Sequence, residues 1–282
     1  MNKVSLYIPC FNAGAYLKKT LDSVFRQNYP IDEVMIIDDG STDCTADIAK
    51  EFPVKIISHV SNLGLAEARN TAFKEARNEF VAALDADCIA HPEWLSELMR
   101  YFNSDKIAGV GGMLIDKNFL NVANRWRCTH MLQHWGNDIV YDPPFLSGSN
   151  NVMRKSVLKK TGYYSKKFKT NYEDVDISKR IYGFGFRLVY NSNAQVEHIK
   201  IDNIKSVLQG FWLRQYYSRN NITDKNTAMS RVINAFSYLE KHHDIAAYFL
   251  EEDMRKNKYD LAVLDIMVVV YCFFCEFCQS KG

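Results

Sequence analysis

The stretch Phe80-Val81-Ala82-Ala83-Leu84-Asp85-Ala86-Asp87 places two carboxylates directly after an apolar run. Such a run is typical of a buried strand, and in open α/β sheets ligands bind at the carboxyl ends of the parallel strands. A divalent cation bound there is usually held by one or two carboxylates together with substrate phosphates. The stretch therefore predicts a Mg²⁺ or Mn²⁺ site that binds a nucleotide diphosphate.

Strands and helices alternate along the chain before this stretch. Apolar and polar residues alternate from Val4 to Ile8, and apolar residues recur at helical spacing from Leu17 to Phe25. The strand-and-helix pattern then repeats, which is typical of a mostly parallel sheet with right-handed crossovers. We therefore predict an α/β fold in which helices flank a central sheet. The further predicted elements are strands over 33–38 and 54–58 and a helix over 65–77.

Polar residues follow three of the predicted strands where these strands end. They are residues 9–12, 38–41 and 85–87. Because the carboxyl ends of parallel strands meet at one edge of a sheet, we expect the three segments to line one crevice. A lone Asp-x-Asp also occurs in turns, so the convergence of three polar segments is the stronger indication of a site.

The composition is that of a globular protein of enzyme size. The 282 residues are 47% hydrophobic, which is enough to bury one large core or two modest ones. The formal net charge of +2 comes from 35 basic and 33 acidic residues without a long run of one sign, so nucleic acid is not an expected partner. An odd number of cysteines, seven, and an amino terminus without a signal-peptide apolar segment favour a cytoplasmic location.

The segment 259–278 is the candidate for membrane contact. Acidic residues interrupt it, and its longest uncharged run, Ile266 to Cys275, is shorter than the about 20 residues that a spanning helix needs. We interpret the segment as a core or homodimer helix, with peripheral contact to the inner face of the cell membrane as the alternative. Cys272, Cys275 and Cys278 would share one helix face, but no fourth Cys or His at matching spacing completes a zinc site.

Five stretches of the sequence match one known family in order and spacing. They are Ile8-Pro9-Cys10-Phe11-Asn12 followed by Tyr16-Leu17, Ile37-Asp38-Asp39-Gly40-Ser41-Thr42-Asp43, Asn62-Leu63-Gly64 with Ala68-Arg69-Asn70, Leu84-Asp85-Ala86-Asp87, and Tyr172-Glu173-Asp174. In these stretches the chain resembles the family 2 inverting nucleotide-sugar glycosyltransferases, which have the GT-A fold. The resemblance implies a catalytic domain at residues 1–202, with a nucleotide-binding half at 1–110 and an acceptor-binding half at 111–202. Residues 203–282 lie outside it and are predicted to form a helical region.

The resemblance implies a nucleotide-binding set of residues. Asp39 would accept the N3 hydrogen of a uracil, and Phe11 with Pro9 would form an apolar wall for the base. Arg69 would lie near the base and pyrophosphate, although an ordinary solvated helix charge is the alternative. A helix N-cap is the alternative role for the acidic residues after the second strand. The set implied by the resemblance is Pro9, Phe11, Asn12, Asp39, Asn62, Arg69, Asp85 and Ala86.

The resemblance also implies the cation ligands. Asp85 would face the ribose, and Asp87 would hold the Mn²⁺ or Mg²⁺ that bridges the two phosphates. Such a cation neutralises charge on the departing diphosphate. His198 follows a strand-like segment and is the candidate for a second ligand, with a structural or surface histidine as the alternative.

Asp174 is the predicted general base, which takes the proton from the acceptor hydroxyl as it attacks the anomeric carbon. As an acid in the first turn of a helix it would also suit the helix dipole without any catalytic role. Asp176, two residues further along the helix, is the weaker candidate. Gly148, Ser149 and Asn150 belong to a predicted polar loop that would line the donor sugar or the acceptor, and Glu173 and Arg214 complete this set.

These residues predict the transfer of one sugar from a UDP-sugar to a glycan or lipid-linked acceptor, with inversion and with a divalent cation. The expected setting is the biosynthesis of a polysaccharide or a glycoconjugate. A sugar-phosphate nucleotidyltransferase is the alternative enzyme class, but the segment from Pro9 to Tyr16 lacks the glycine-rich basic loop that cradles a triphosphate. A non-catalytic protein that binds carbohydrate or nucleotide is the alternative outside the enzymes.

Overall fold

The computed structural model of the protein describes residues 1–117, 119–218 and 228–278. In chain order its elements are β1 (Val4–Cys10), α1 (Leu17–Val24), β2 (Glu33–Asp38), α2 (Thr45–Lys50), β3 (Lys55–Ser58), α3 (Leu65–Glu75), β4 (Phe80–Leu84), β5 (Cys88–Ala90), α4 (Trp94–Met99), β6 (Ile107–Asp116), α5 (Val122–His130), β7 (Val140–Tyr141), β8 (Asn150–Arg154), α6 (Lys155–Lys160), α7 (Glu173–Gly183), β9 (Arg187–His198), α8 (Ile204–Ser218), α9 (Ala228–Arg255) and α10 (Tyr259–Phe277).

The chain divides into two compact units, and the boundary differs from the predicted one. The first unit contains residues 1–117 and 133–200, and the second contains 118–132 and 201–282. Residues 118–132 were expected in the first domain, but Trp126 of α5 packs in the same core as Leu208 of α8. The predicted helical region is present in α8 to α10, while residues 219–227 and 279–282 of it lie outside the described residues.

The sheet of the first unit confirms the predicted α/β architecture. Its strands lie in the order β3-β2-β1-β4-β8-β6-β9-β5, and β7 pairs with β9. The first four strands in this order are parallel to one another, so their carboxyl ends share one edge. β8 then runs antiparallel to β4 and brings residue Asn150 opposite Leu84, next to the Asp85-Ala86-Asp87 stretch.

Strands β1, β2 and β4 of this sheet are buried along their whole length, which explains their nearly continuous apolar runs. One face packs against α1 and α4 through residues such as Leu17 and Trp94, and the other packs against α3 and α7 through Phe73 and Ile177. The four helices therefore hold the sheet edge, and the polar residues that follow it, in a fixed position.

The second unit is helical and has its own core. Its core residues come from α5, α8 and α10, and they include Trp126, Phe211 and Val268. Among the helices that the structure describes, none combines the length and apolarity that a bilayer-spanning segment requires.

Candidate active site

Arg69 connects several segments at the edge of the sheet where the parallel strands end. Its side chain is only 1% exposed, so the alternative of a solvated helix charge is wrong. The guanidinium donates to the carbonyl oxygen of Gly148 at 2.7 Å and to Asp85 Oδ1 at 3.3 Å. Its Nε lies 3.4 Å from Glu173 Oε1. One buried cation therefore fixes three segments of the first unit that are distant in sequence.

Asp85 and Asp87 lie in different electrostatic surroundings, although they are two residues apart. Burial raises the pKa of Asp85, and the charge of Arg69 only partly opposes this. Burial also acts to raise the pKa of Asp87, but the hydrogen bond and charge of His198 outweigh it, and the pKa is lowered. Asp87 is therefore the stronger candidate for a permanently ionised cation ligand.

His198 faces Asp87 and is oriented by Asp116. His198 Nε2 lies 3.4 Å from Asp87 Oδ2, and His198 Nδ1 lies 3.1 Å from Asp116 Oδ1. In the protonated ring Nε2 donates to Asp87, which lowers the pKa of that carboxyl. In the neutral ring with Nδ1 donating to Asp116, Nε2 offers its lone pair to a cation that Asp87 can also bind. Histidines that bind a metal commonly donate their other ring N–H to a carboxylate. This hydrogen bond fixes the orientation of the ring and its tautomer. Asp87 and His198 thus fit a divalent cation. Asp116 was not predicted as a site residue. It ends β6 and lies opposite His198 of β9, and its position after an apolar strand was the only indication in the sequence.

Asp174 is held against the segment that Arg69 fixes. Its Oδ2 accepts from the backbone N–H of Gly148 at 3.2 Å, and its Oδ1 accepts from the N–H of Val175 at 2.8 Å. Burial raises the pKa of the Asp174 carboxyl, which brings it closer to the range of an effective base. Asp176 instead pairs with Arg180 at 2.7 Å.

Two residues in the left-handed backbone region precede α7. They are Asn171 with φ 62° and Tyr172 with φ 74°. A bulky residue such as tyrosine rarely adopts this conformation, which costs of order 1–3 kcal/mol and is concentrated at functional sites. The turn sets the direction in which α7 starts and hence the position of Asp174. Neither position is a glycine, and only Asn171 is of a residue type enriched in this backbone region, so the turn was not predicted.

Glu173 points into the protein and not toward an open surface. Its side chain is buried beside Arg69. Burial and the neighbouring charge of Asp174 raise the pKa of Glu173 from 4.5 to about 7. Its predicted contact with donor sugar or acceptor would have to be made from this buried position.

The raised pKa of Glu173 predicts a pH-dependent stability. The folded state binds this proton more tightly than the unfolded state, so stability decreases as the pH rises from 4.5 to about 7 and the loss is complete above it. We expect a decrease of about 3 kcal/mol in the free energy of unfolding from this group, because one pKa unit corresponds to about 1.4 kcal/mol. Urea unfolding at several pH values measures it, and Glu173→Gln should remove this part of the slope. An unchanged slope in the variant would contradict the assignment.

The segment 147–151 is only partly the loop that the sequence predicts. β8 begins at Asn150, because this residue pairs with Leu84 in the sheet. Asn150 is fully buried, and its Oδ1 accepts from Trp94 Nε1 at 2.6 Å. The prediction that Asn150 belongs to a loop is therefore wrong. Ser149 is also buried, and its carbonyl oxygen accepts from the N–H of Asp85 at 3.1 Å.

Gly148 is required by the close approach of Arg69. A Cβ at this position would lie 2.6 Å from Nη2 of Arg69. We therefore expect Gly148→Ala to displace the guanidinium and to destabilise the protein by about 1–3 kcal/mol, as overpacking does. Thermal unfolding measures the loss. Gly183→Ala at the end of α7 is the matched control, because a Cβ there meets nothing within 4 Å. Equal effects of the two variants would contradict the packing argument.

Asp39 holds the loop before α3. Its carboxylate accepts from the N–H groups of Leu63 at 2.9 Å and Gly64 at 2.8 Å, and Oδ1 lies 2.6 Å from His59 Nδ1. An ionised carboxylate has about four acceptor positions. One position is thus left for the predicted contact with the base.

The remaining nucleotide-binding candidates lie at the end of β1 and in the segments that follow β1, β3 and β4. Phe11 is 52% exposed, as an apolar wall for a base requires. Asn12 has a φ of 51°, and its Oδ1 accepts from the N–H of Thr42, so it ties the loops after β1 and β2 together. Pro9 is buried at the end of β1, Asn62 is exposed, and the carbonyl oxygen of Ala86 accepts from Thr20 Oγ1. Arg214 is exposed on α8 in the second unit.

Sequence comparison links the chain to known glycosyltransferases. Residues 5–162 match the family model described as Glycosyl transferase family 2. An uncharacterized glycosyltransferase of Haemophilus influenzae is 26% identical over 274 residues, which are 85% of this chain and 80% of that protein. The poly-beta-1,6-N-acetyl-D-glucosamine synthase of Staphylococcus epidermidis is 28% identical over 201 residues, or 68% of this chain. The match covers 48% of the synthase, about half of its length.

Structural comparison confirms the GT-A fold. The mannosyltransferase PcManGT from Pyrobaculum calidifontis, solved with GDP-Man and Mn²⁺, has a TM-score of 0.66 at 16% identity, covering 99% of this chain and 88% of that chain. S. aureus TarS, solved with UDP-GlcNAc, has a TM-score of 0.58 at 21% identity, covering 86% and 73%. At these identities the comparison concerns the fold.

Proposed function

Because the chain belongs to glycosyltransferase family 2, we propose that it transfers a single sugar from a UDP-sugar to an acceptor hydroxyl with inversion of the anomeric configuration. The observation that carries the proposal is the position of Gly148. Its N–H donates to Asp174, and its carbonyl oxygen accepts from Arg69, which also pairs with Asp85. The proposed base and the proposed donor-binding edge thus share one peptide segment.

In the proposed reaction, Asp174 accepts the proton of the acceptor hydroxyl. The hydroxyl oxygen attacks the anomeric carbon on the face opposite the nucleotide, the bond between that carbon and the diphosphate oxygen breaks, and UDP leaves. The N–H groups of Gly148 and Val175 hold the carboxylate in place for this transfer. The raised pKa of Asp174 makes it a better proton acceptor than an exposed aspartate.

Asp87 and His198 are the proposed ligands of a divalent cation, Mn²⁺ or Mg²⁺. When bound, such a cation neutralises the charge that develops on the departing diphosphate. Asp116 holds the His198 ring with one nitrogen toward Asp87. Asp85, beside Arg69, is proposed to contact the ribose, and Pro9, Phe11, Asn12, Asp39 and Asn62 to surround the base.

Thermal unfolding with UDP, GDP, dTDP or CMP, each with and without Mn²⁺, tests the donor class. A ligand that binds only the folded state raises the melting temperature. We expect the largest rise with UDP and Mn²⁺ together, and Asp87→Asn should remove the effect of Mn²⁺. A larger rise with GDP would replace the UDP assignment, since PcManGT is a mannosyltransferase solved with GDP-Man. No rise with any nucleotide would favour the non-catalytic alternative.

The acceptor is proposed to be a glycan or a lipid-linked sugar, met at the cytoplasmic face of a membrane. The support comes from α10 in the second unit, which buries apolar residues such as Val268 together with Asp265 and Glu276, and which also exposes apolar side chains. An ordinary surface helix turns a polar face to water, whereas the exposed side of α10 is largely apolar as well. Arg214 is the proposed phosphate contact of a lipid carrier, and a homodimer through α10 is the alternative. The exposed apolar residues of α10 are Tyr259, Val263, Ile266, Met267, Val270, Phe274 and Phe277.

A further inference from the structure

Three ionisable side chains meet inside the second unit, on three different helices. His130 ends α5, Asp253 lies in the last turn of α9, and Asp265 lies in the second turn of α10. His130 Nε2 lies 2.8 Å from Asp253 Oδ2 and 3.8 Å from Asp265 Oδ1. The three side chains are at most 2% exposed. Their ligand atoms all lie within 4.8 Å of one another.

Among the residues that the structure describes, the side chains around this cluster do not balance its charge. Two carboxylates face one imidazole, so the cluster carries a net negative charge even when His130 is protonated. Lys258 Nζ lies 3.9 Å from Asp253 Oδ1, but the lysine side chain is 39% exposed and remains largely in water. Burying an uncompensated charge is costly, so a cation or a shared proton is needed here.

The hydrogen bonds of the cluster are also incomplete. Asp253 Oδ1 and Asp265 Oδ2 are buried and have no hydrogen-bond partner among the described residues. Buried carboxylate oxygens of this kind normally accept a hydrogen bond or bind an ion. Asp265 Oδ1 in contrast accepts from Trp126 Nε1 at 2.7 Å, which fixes the orientation of the carboxylate.

We propose that His130, Asp253 and Asp265 bind one first-row transition-metal dication, with Zn²⁺ preferred, and that the ion joins α5, α9 and α10. One imidazole nitrogen and two carboxylates suit Zn²⁺ better than Mg²⁺ or Ca²⁺, which prefer oxygen ligands. Ligand atoms of a tetrahedral zinc site lie about 3.3 Å apart. The observed separations of 2.8 and 3.8 Å lie on either side of this value. A neutral imidazole, two carboxylates and a dication have no net charge.

This site is independent of the Asp87 site, and it has a structural role instead of a catalytic one. All three ligands belong to the second unit, and Phe249 packs on the His130 ring with centroids 4.2 Å apart. An ion here would add a link between helices that are also held by apolar packing and by the hydrogen bond from Trp126 to Asp265, and its binding energy would add to the stability of the fold.

Metal titration of the full chain tests the proposal. The protein carries Asp87→Asn, so that the proposed catalytic cation site does not contribute, and it is first stripped with a chelator. We expect Zn²⁺ to raise the melting temperature until one equivalent is bound, while Mg²⁺ gives no rise. Co²⁺ serves as the spectroscopic probe, and its absorption should show no thiolate-to-metal charge transfer. A charge-transfer band would assign the ion to cysteines, and no saturable rise would indicate a cluster that shares a proton. Either result overturns the proposal.

Asp265→Asn identifies the ligand. Asparagine keeps the volume of the side chain and an oxygen that accepts from Trp126, but it removes the negative charge. Glu276→Gln is the matched control, because Glu276 is also a buried carboxylate of α10 that accepts from a tryptophan, Trp212, at 3.1 Å. The Zn²⁺-induced rise should be lost in Asp265→Asn and kept in Glu276→Gln. A rise that persists in Asp265→Asn contradicts the site. If that variant does not fold, His130→Gln replaces it, and the stoichiometry and Co²⁺ spectrum of the parent protein still decide the proposal.

Discussion

Asp174→Asn is expected to lower kcat by a factor of about 10²–10⁴, the contribution that a general base typically makes. Asparagine keeps the size of the side chain, and its one amide oxygen can still accept from the N–H of either Gly148 or Val175, which bond to different oxygens of the aspartate. It cannot take the proton of the acceptor hydroxyl. Nucleotide affinity should therefore stay close to that of the unmodified protein. Transfer assays with a UDP-sugar measure the rate, and a binding titration with UDP measures the affinity.

Asp176→Asn is the control for this experiment. Asp176 lies on the same helix two residues away, but it pairs with Arg180 at 2.7 Å and does not contact Gly148. Its replacement should change kcat by less than about threefold, since a half-exposed ion pair within a helix is worth well under 1 kcal/mol. Retained turnover in Asp174→Asn, or an equal loss in both variants, would reject Asp174 as the base.

Arg69→Met is expected to have the largest effect on stability. Methionine has a similar length, but it leaves the buried Glu173 and the partly buried Asp85 without a positive charge. Removing one partner of a buried ion pair typically costs about 3–5 kcal/mol. The effect should be larger at pH 8 than at pH 5, because the pKa of Glu173 is about 7 and its carboxyl is neutral at the lower pH. Urea unfolding at both pH values measures the difference.

Two further variants show whether the buried charge is the cause. Arg77→Met removes an arginine that is 66% exposed. Its partner Glu33 is buried but keeps the hydrogen bonds from Ser5 Oγ and from the backbone N–H of residue 77, so the variant should cost about 1 kcal/mol or less. Adding Glu173→Gln to Arg69→Met removes one of the two stranded carboxylates and should restore part of the stability at pH 8. A loss in Arg69→Met that equals the loss in Arg77→Met would disprove the central role of this residue.

The sequence predicted well those parts of the fold that depend on local pattern. The strands over 33–38 and 80–84 are present with the predicted bounds, and α7 begins at Glu173 as expected. Strand burial and helix amphipathicity are visible in a single sequence because they repeat with a short period. The meeting of Asp39 and Asp85 at one sheet edge followed from the rule that parallel strands end together.

The parts that were missed depend on contacts between distant residues. The burial of Arg69 results from Gly148 and Glu173, which lie 79 and 104 positions further along the chain. The packing of α5 with the second unit depends on apolar residues that follow position 200 in the chain. Local pattern contains no information on such pairs, and the same holds for the pairing of Asp116 with His198.

The left-handed turn at Asn171 and Tyr172 has a consequence for engineering this protein. A search for stabilising substitutions would select these positions, because glycine adopts this backbone conformation without the penalty that tyrosine incurs. Glycine would also loosen the start of α7, and the proposed base would then sample positions away from Gly148. Variants relaxed at this turn should thus be harder to melt and slower as enzymes. Thermostability programmes should leave both residues unchanged and work on exposed helix positions such as Lys50 at the end of α2 instead.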